Sequence, residues 1–345
     1  MKNRSLFFIV LIVCAKLVNT SCPSTCSCSN STLGFDVNCY SKSFERIPDL
    51  PNDTYRLNFA YNNIDEIDVQ LCKEMPLLQY IIIHTNLIRE IRNETYTDCH
   101  QLITLDIHRN KLTSIAKMVF SNLRQLQTLD LRYNTIEHIH PEAFRTLTSL
   151  KHLYLQNNAI EYVRQETFCN LTSLTNLELG YNKINYVDEN TFRHLSSLRY
   201  LYMENNNISS INSIPFQEMP NLYYLHLQYN RITAIPRDAF NNLSQLYRIF
   251  LYNNKIQSIE NNTFVNMTSL YNLYLYNNEI STIKQPAFTN LPNLRYLYLY
   301  NNKIQYVESN TFVNMTNLYE LILYSNEIST IKQSAFMNLP RLFHL

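Results

Sequence analysis

Apolar residues recur along this chain with two periods at once. The pattern Leu-x-x-Leu-x-Leu-x-x-Asn-x-Ile, read at Leu270, Leu273, Leu275, Asn278 and Ile280, alternates apolar and polar positions after its second leucine. That period of two marks a short strand with one buried face. The pattern returns 24 positions later at Leu294, Leu297, Leu299, Asn302 and Ile304. Its asparagine column runs through Asn62, Asn86, Asn110, Asn134, Asn158, Asn182, Asn206, Asn230, Asn254, Asn278, Asn302 and Asn326, with no insertion or deletion between neighbours. Twelve coils of one length therefore stack in a line. Their strands form a parallel sheet about 4.7 to 4.9 Å between neighbours and roughly 55 to 60 Å end to end.

Each column has its own physical task. The asparagine leaves the strand where backbone groups would be buried unpaired, and its amide both donates and accepts. Ten residues on stand Cys72, Tyr96, Phe120, Phe144, Phe168, Phe192, Phe216, Phe240, Phe264, Phe288, Phe312 and Phe336, a phenylalanine spine. A Leu or Met three places further on suits a single helical or 3₁₀ turn, or an irregular extended path, on the back of the coil. Bulkier material on the back puts the sheet on the inside of the curve.

Composition narrows the function classes. A fixed period makes one long domain of the 345 residues. Glycine occurs only at Gly34 and Gly180, so there is no phosphate-cradling loop and no dinucleotide fingerprint. A formal net charge of +1 gives no strong pull toward nucleic acid or acidic membrane. Lys2 and Arg4, the apolar run from Leu6 to Ala15, and the small and polar residues up to Ser21 have the layout of a secretory signal peptide, removed together with Cys14. Cys22, Cys26, Cys28 and Cys39 then crowd into a short polar segment. In an exported chain they read as a disulfide-stapled unit with three pairings open, and a zinc site lacks a second matched pair nearby.

The Cys-x3-Cys-x-Cys arrangement ending at Cys39, the Ile47-Pro48 and Leu50-Pro51 lead-in and the 24-residue pattern resemble the extracellular leucine-rich repeat proteins with an amino-terminal cysteine cap. The resemblance covers essentially all of the chain after the leader. It implies an α/β solenoid, a curved horseshoe with a parallel β-sheet on its concave face. The division is then a signal peptide over 1–20, a cysteine cap over 21–53 and repeats over 54–345, the last turn incomplete. It also implies the pairs Cys22–Cys28 and Cys26–Cys39. Family members usually finish on a second cysteine-rich cap, whereas this chain stops at Leu345 inside a thirteenth turn and reads as cut short. The expected location is secreted or on the extracellular side of the plasma membrane, with membrane attachment only through a missing carboxyl-terminal segment. No oligomeric state follows.

Positions six, four and two before each ladder asparagine point away from the core. From the seventh turn they become aromatic, and the candidate ligand-binding residues are Tyr200, Tyr202, Tyr224, Phe250, Tyr252, Tyr274, Tyr276, Tyr298 and Tyr300, edged by Asn205, Asn253, Asn277 and Asn301. Tyr and Asn are the chemistry of antibody combining sites, with large contact area and adaptable hydrogen bonds. The competing reading is that Tyr favours a pleated surface and stacks on its own copies. Residues 253–297 and 301–345 are near-copies, so Tyr200, Tyr202, Tyr224 and Phe250, outside them, are the stronger indicators.

After the leader, sequons stand at Asn30, Asn52, Asn93, Asn170, Asn207, Asn242, Asn261, Asn266 and Asn314; Asn170, Asn242, Asn266 and Asn314 share one position, which puts sugars on the back, while Asn207 lies beside a ladder asparagine. Cys72 and Cys99 replace core residues in adjacent turns and read equally as a disulfide or as two buried thiols; Cys169 reads as a free thiol or an intermolecular link. His84 and His108 occupy equivalent places, and His138 and His140 form a His-x-His pair, but without a third ligand at fixed spacing they are taken as surface histidines and no metal is assigned. Asp106 and Asp130 stack on one column without a pocket for hydrolysis. The sequence thus points to an extracellular protein-recognition module, a receptor ectodomain for a protein or peptide ligand, with no enzyme activity and no cofactor. The alternative is a secreted matrix or adhesion protein resembling the small leucine-rich proteoglycans.

Overall fold

The computed structural model describes residues 21–67, 71–241 and 243–345. The leader expected over 1–20 and the sequon at Asn242 lie outside the described residues. One strand per coil joins a single fourteen-stranded sheet. It begins with an antiparallel hairpin, β1 (Ser27–Ser31) and β2 (Gly34–Asn38). The strands from β3 (Thr54–Asn58) onward run parallel: β4 (Tyr80–Ile82), β5 (Thr104–Asp106), β6 (Thr128–Asp130), β7 (His152–Tyr154), β8 (Asn176–Glu178), β9 (Tyr200–Tyr202), β10 (Tyr224–His226), β11 (Arg248–Phe250), β12 (Asn272–Tyr274), β13 (Tyr296–Tyr298) and β14 (Glu320–Ile322).

Register is set by the central apolar residue of each strand. Leu201 pairs with Leu225, Leu225 with Ile249 and Ile249 with Leu273, all fully buried. A slip of one residue would turn this column out to solvent, so the period of two locks the stack. The ladder asparagines tie the coils together. Asn206 Nδ2 donates to Leu179 O of the preceding coil at 3.0 Å and to Met203 O of its own at 3.1 Å, and Oδ1 accepts from Ile184 N at 2.9 Å. At the hairpin end Asn62 instead donates to Cys39 O and accepts from the amides of Lys42 and Phe44.

On the back, the spine stacks ring on ring from Tyr96 to Phe192, 6.0 to 6.2 Å between centroids, and from Phe216 to Phe336, 5.5 to 5.8 Å. Helix in the return path is confined, among the described residues, to one turn at Leu71–Glu74 and a 3₁₀ turn at Phe216–Glu218. The α share of the expected α/β solenoid is therefore almost nil. The other returns are turns and two-residue parallel pairs such as Tyr162–Val163 with Tyr186–Val187. The backbone explains this, because residues eight or twelve places after a ladder asparagine, among them Met118, Glu166, Asn170, Asp238, Asn266 and Asn314, have φ of 57° to 72°. A left-handed residue ends any helical run.

Disulfides join Cys22 to Cys28, Cys26 to Cys39 and Cys72 to Cys99, the last between adjacent coils with Cα atoms 5.0 Å apart. Cys169 is free. Among the described residues no helix is long and apolar enough to cross a membrane.

Candidate functional site

All nine aromatic residues singled out in the sequence lie on the concave face, each half-buried. Parallel register puts equivalent side chains side by side and assembles them into two rows. One runs Tyr202–His226–Phe250–Tyr274–Tyr298, with centroids 4.6, 4.2, 5.0 and 5.3 Å apart. The other runs Tyr252–Tyr276–Tyr300–Tyr324 at 4.4, 4.5 and 4.7 Å, its planes within 14° of parallel. Tyr200 and Tyr224 meet edge to face beside them at 5.4 Å. The ring faces are thus largely spent on one another, and the field presents ring edges and hydroxyls. Burial raises the pKa of Tyr252, Tyr274, Tyr276, Tyr298 and Tyr300, so these hydroxyls stay protonated, but several are already engaged: Tyr298 donates to Glu320 Oε2 at 2.6 Å, Tyr274 accepts from Asn272 Nδ2 at 2.6 Å, and Tyr276 is hydrogen-bonded to Tyr252 and Tyr300.

His226 was not legible as part of this field, because one histidine in a column of tyrosines carries no periodic signal. It sits between Tyr202 and Phe250, and burial, with Arg248 adding to the effect, pushes its pKa down to about 4. The edging asparagines have a second reason to be where they are. Position one before each ladder asparagine is left-handed in every coil, with φ of 53° at Asn205, 54° at Asn253, 55° at Asn277 and 52° at Asn301. Asn tolerates that region better than most residues. Three of them also form a ladder, Asn301 donating to Asn277 and Asn277 to Asn253 at 2.8 Å each.

A further row at the edge of the sheet was missed. Tyr223, Tyr247 and Tyr271 stack 5.1 and 5.0 Å apart, and Arg295 donates to the Tyr271 hydroxyl at 3.2 Å while lying over the Tyr319 ring at 5.1 Å. With Asn293, Asn317 and Arg341 they line an open groove without a carboxylate. These tyrosines lie seven places before the ladder asparagine, outside the alternation that marks the strand's exposed face.

The amino-terminal half of the concave face is mostly polar, with Tyr80, Ile82 and Tyr154 as its apolar members. Asp106 accepts from His108 Nδ1 at 2.6 Å, Asp130 holds Arg132 at 2.9 Å, and the rings of His84 and His108 stack 4.1 Å apart. Burial is the main cause that raises the pKa of Asp130, with Asp106 adding to it; it also raises Glu178 and Glu204 and lowers His84. Gly180 gives Glu204 its place, since a Cβ there would come within 2.4 Å of Glu204 Oε1.

The sequon asparagines Asn30, Asn52, Asn93, Asn170, Asn266 and Asn314 are exposed, whereas Asn261 and Asn207 are half-buried. The shared column of Asn170, Asn266 and Asn314 is one of the left-handed positions, as are Asn290 and Asn338, which carry no sequon. Backbone conformation therefore accounts for asparagine there before any sugar is invoked. Asn290 and Asn338 donate to Oδ1 of Asn266 and Asn314 at 3.0 and 2.9 Å, contacts that engage the acceptors through their oxygens.

A family model described as Leucine rich repeat matches residues 100–160, 149–208, 220–280 and 268–326. Over 84 residues the chain is 33% identical to leucine-rich repeat-containing protein 3 of Danio rerio, a match covering 24% of this chain and 32% of that protein. It thus spans about a third of that relative. Among solved structures, the leucine-rich repeat domain of APL1B aligns over 87% of both chains with a TM-score of 0.68 at 20% identity. A chain of the octameric complex of Latrophilin 3, Unc5D and FLRT2 aligns over 82% of this chain and 85% of that one, TM-score 0.68 at 23% identity. A chain of the Toll–Spatzle complex of Drosophila aligns over 80% and 42% respectively, TM-score 0.65 at 24% identity. At such identities the likeness is one of fold.

Proposed function

Since the chain belongs to the leucine-rich repeat family, a scaffold for protein interaction, we propose that it is an extracellular recognition module, the ectodomain of a receptor that binds a protein or peptide on the concave face of turns seven to twelve. The observation that carries this reading is the pair of aromatic rows from Tyr202 to Tyr324, held in place by ring-on-ring contacts and internal hydrogen bonds and presenting ring edges and hydroxyl oxygens along an open concave surface. Rigid tyrosines bind at small entropic cost, and their hydroxyls supply direction. Complexes such as Toll with Spatzle support a protein partner by analogy of fold. Three disulfides suit an oxidising compartment. Sugars on Asn170, Asn266 and Asn314 would lie on the return path and leave the concave face clear.

The test is a screen of the purified chain against an array of secreted and cell-surface proteins, with each hit re-measured on a triple variant, Tyr202→Ala, Tyr224→Ala and Phe250→Ala. We expect at least about a tenfold loss of affinity with the far-ultraviolet spectrum unchanged. Equal affinity of the triple variant for every hit would sink the concave-face reading.

A further inference from the structure

His84, Asp106 and His108 come together on the concave surface of the second and third coils, well before the aromatic field begins. Asp106 ends β5, and His108 follows two residues later on the same face. The register pairs Ile82 with Asp106, which carries His84 beside His108. One ligating atom from each of the three side chains lies within 4.8 Å of the others. Two imidazoles and a carboxylate on adjacent strands are a donor set for zinc and similar divalent metals, and three protein ligands leave a coordination position open. The third ligand was invisible in the sequence, where Asp106 sits on a different column from the histidines.

The surroundings favour such a site over a mere hydrogen-bonded pair. Thr85 Oγ1 lies 3.1 Å from His84 Nδ1, a contact of the kind that fixes ring orientation around a metal, while the 2.6 Å contact between Asp106 and His108 Nδ1 is where the ion would replace the shared proton and take both groups as ligands. The nearby cations are engaged elsewhere: Arg132 on Asp130 at 2.9 Å, Arg109 over the Tyr133 ring at 4.6 Å. Asp130, 3.7 Å from His108 Nδ1, adds negative potential beside the site. All three ligands are half-buried, so an ion can reach them. In a tetrahedral zinc shell neighbouring ligands stand about 3.3 Å apart, so coordination must tilt the two imidazoles out of their stack, a side-chain rotation that leaves the sheet unchanged.

We propose that His84, Asp106 and His108 form a zinc-class divalent metal site whose open position faces the concave groove, where a carboxylate or imidazole of a bound protein would complete the shell. This proposal does not depend on what the aromatic half binds.

The experiment is a titration of the chelator-treated chain with zinc chloride by calorimetry, paralleled by cobalt(II) titration followed in the visible. We expect one equivalent bound, with the intense cobalt absorption of a four-coordinate site. His84→Ala, His108→Ala and Asp106→Asn should each weaken zinc by at least about tenfold. His108→Gln, which can keep a hydrogen bond to Asp106, should lose metal equally while holding the melting temperature in chelator. A His138→Ala, His140→Ala double variant should bind as the parent does. Zinc affinity unchanged in His84→Ala and His108→Ala, loss confined to the His138/His140 variant, or only weak six-coordinate cobalt spectra would each overturn the proposal.

Discussion

At the scale of single residues, asparagine does three separate jobs that look alike in the sequence. In the ladder it satisfies buried backbone: Asn254 donates to Leu227 O, Leu251 O and Tyr252 O and accepts from Ile232 N. Asn254→Ala leaves these groups unpaired and should cost about 1 to 3 kcal/mol, read as a lower urea midpoint. One position earlier, and again on the return path, asparagine serves a left-handed backbone, and only beyond that does it offer sequons. His226 allows a test by pH. Its folded pKa of about 4 lies below the unfolded value near 6.5, so the folded state binds fewer protons and stability is lost as pH falls through that window. Asp130, Glu178 and Glu204, whose pKa values are raised, act in the opposite sense, and only a comparison isolates the histidine. Between pH 7 and pH 4.5 the melting temperature of wild type should fall further than that of His226→Tyr, which extends the aromatic row. Parallel pH curves would remove His226 as an acid-sensitive group.

At the scale of the coil, the strand and the spine were legible because each is a column of one residue type at fixed spacing. The return path was not, since the left-handed positions that break its helix are filled by residues as different as Met118, Glu166 and Asn170. The aromatic rows belong to this scale too. Tyr276 stacks on Tyr252 at 4.4 Å and on Tyr300 at 4.5 Å. Tyr276→Ala should therefore destabilise by about 1 to 3 kcal/mol, the sum of two stacking contacts. The exposed Tyr306→Ala, on the return path, should stay within about 0.5 kcal/mol of wild type. Equal effects of the two substitutions in thermal melts would mean that the rows contribute no rigidity, and the case for a pre-organised surface would weaken with them.

At the scale of the molecule, each coil rests only on its neighbours, so a covalent tie between coils matters most near an end. Cys72–Cys99 closes a separation of 27 residues between adjacent coils. Replacing both by serine should cost about 2 to 4 kcal/mol, largely by releasing the unfolded chain. Hydrogen exchange should then quicken in the first coils and remain slow beyond the fifth. Uniform quickening along the whole chain would contradict a nearest-neighbour stack.

The sequence by itself determined the period, the register and the buried face of every strand, because a 24-residue repeat without insertions admits one way of stacking its apolar columns. It therefore also determined that Tyr202, Tyr224 and Phe250 share the concave surface. Only the tertiary structure decided what those side chains do there. Periodicity specifies the direction in which a side chain leaves the backbone, but not its torsions or its distance from a neighbour 24 residues away. Hence the tyrosines turned out to spend their faces on each other, His226 to sit among them, and Asp106 to lie within reach of His84 and His108.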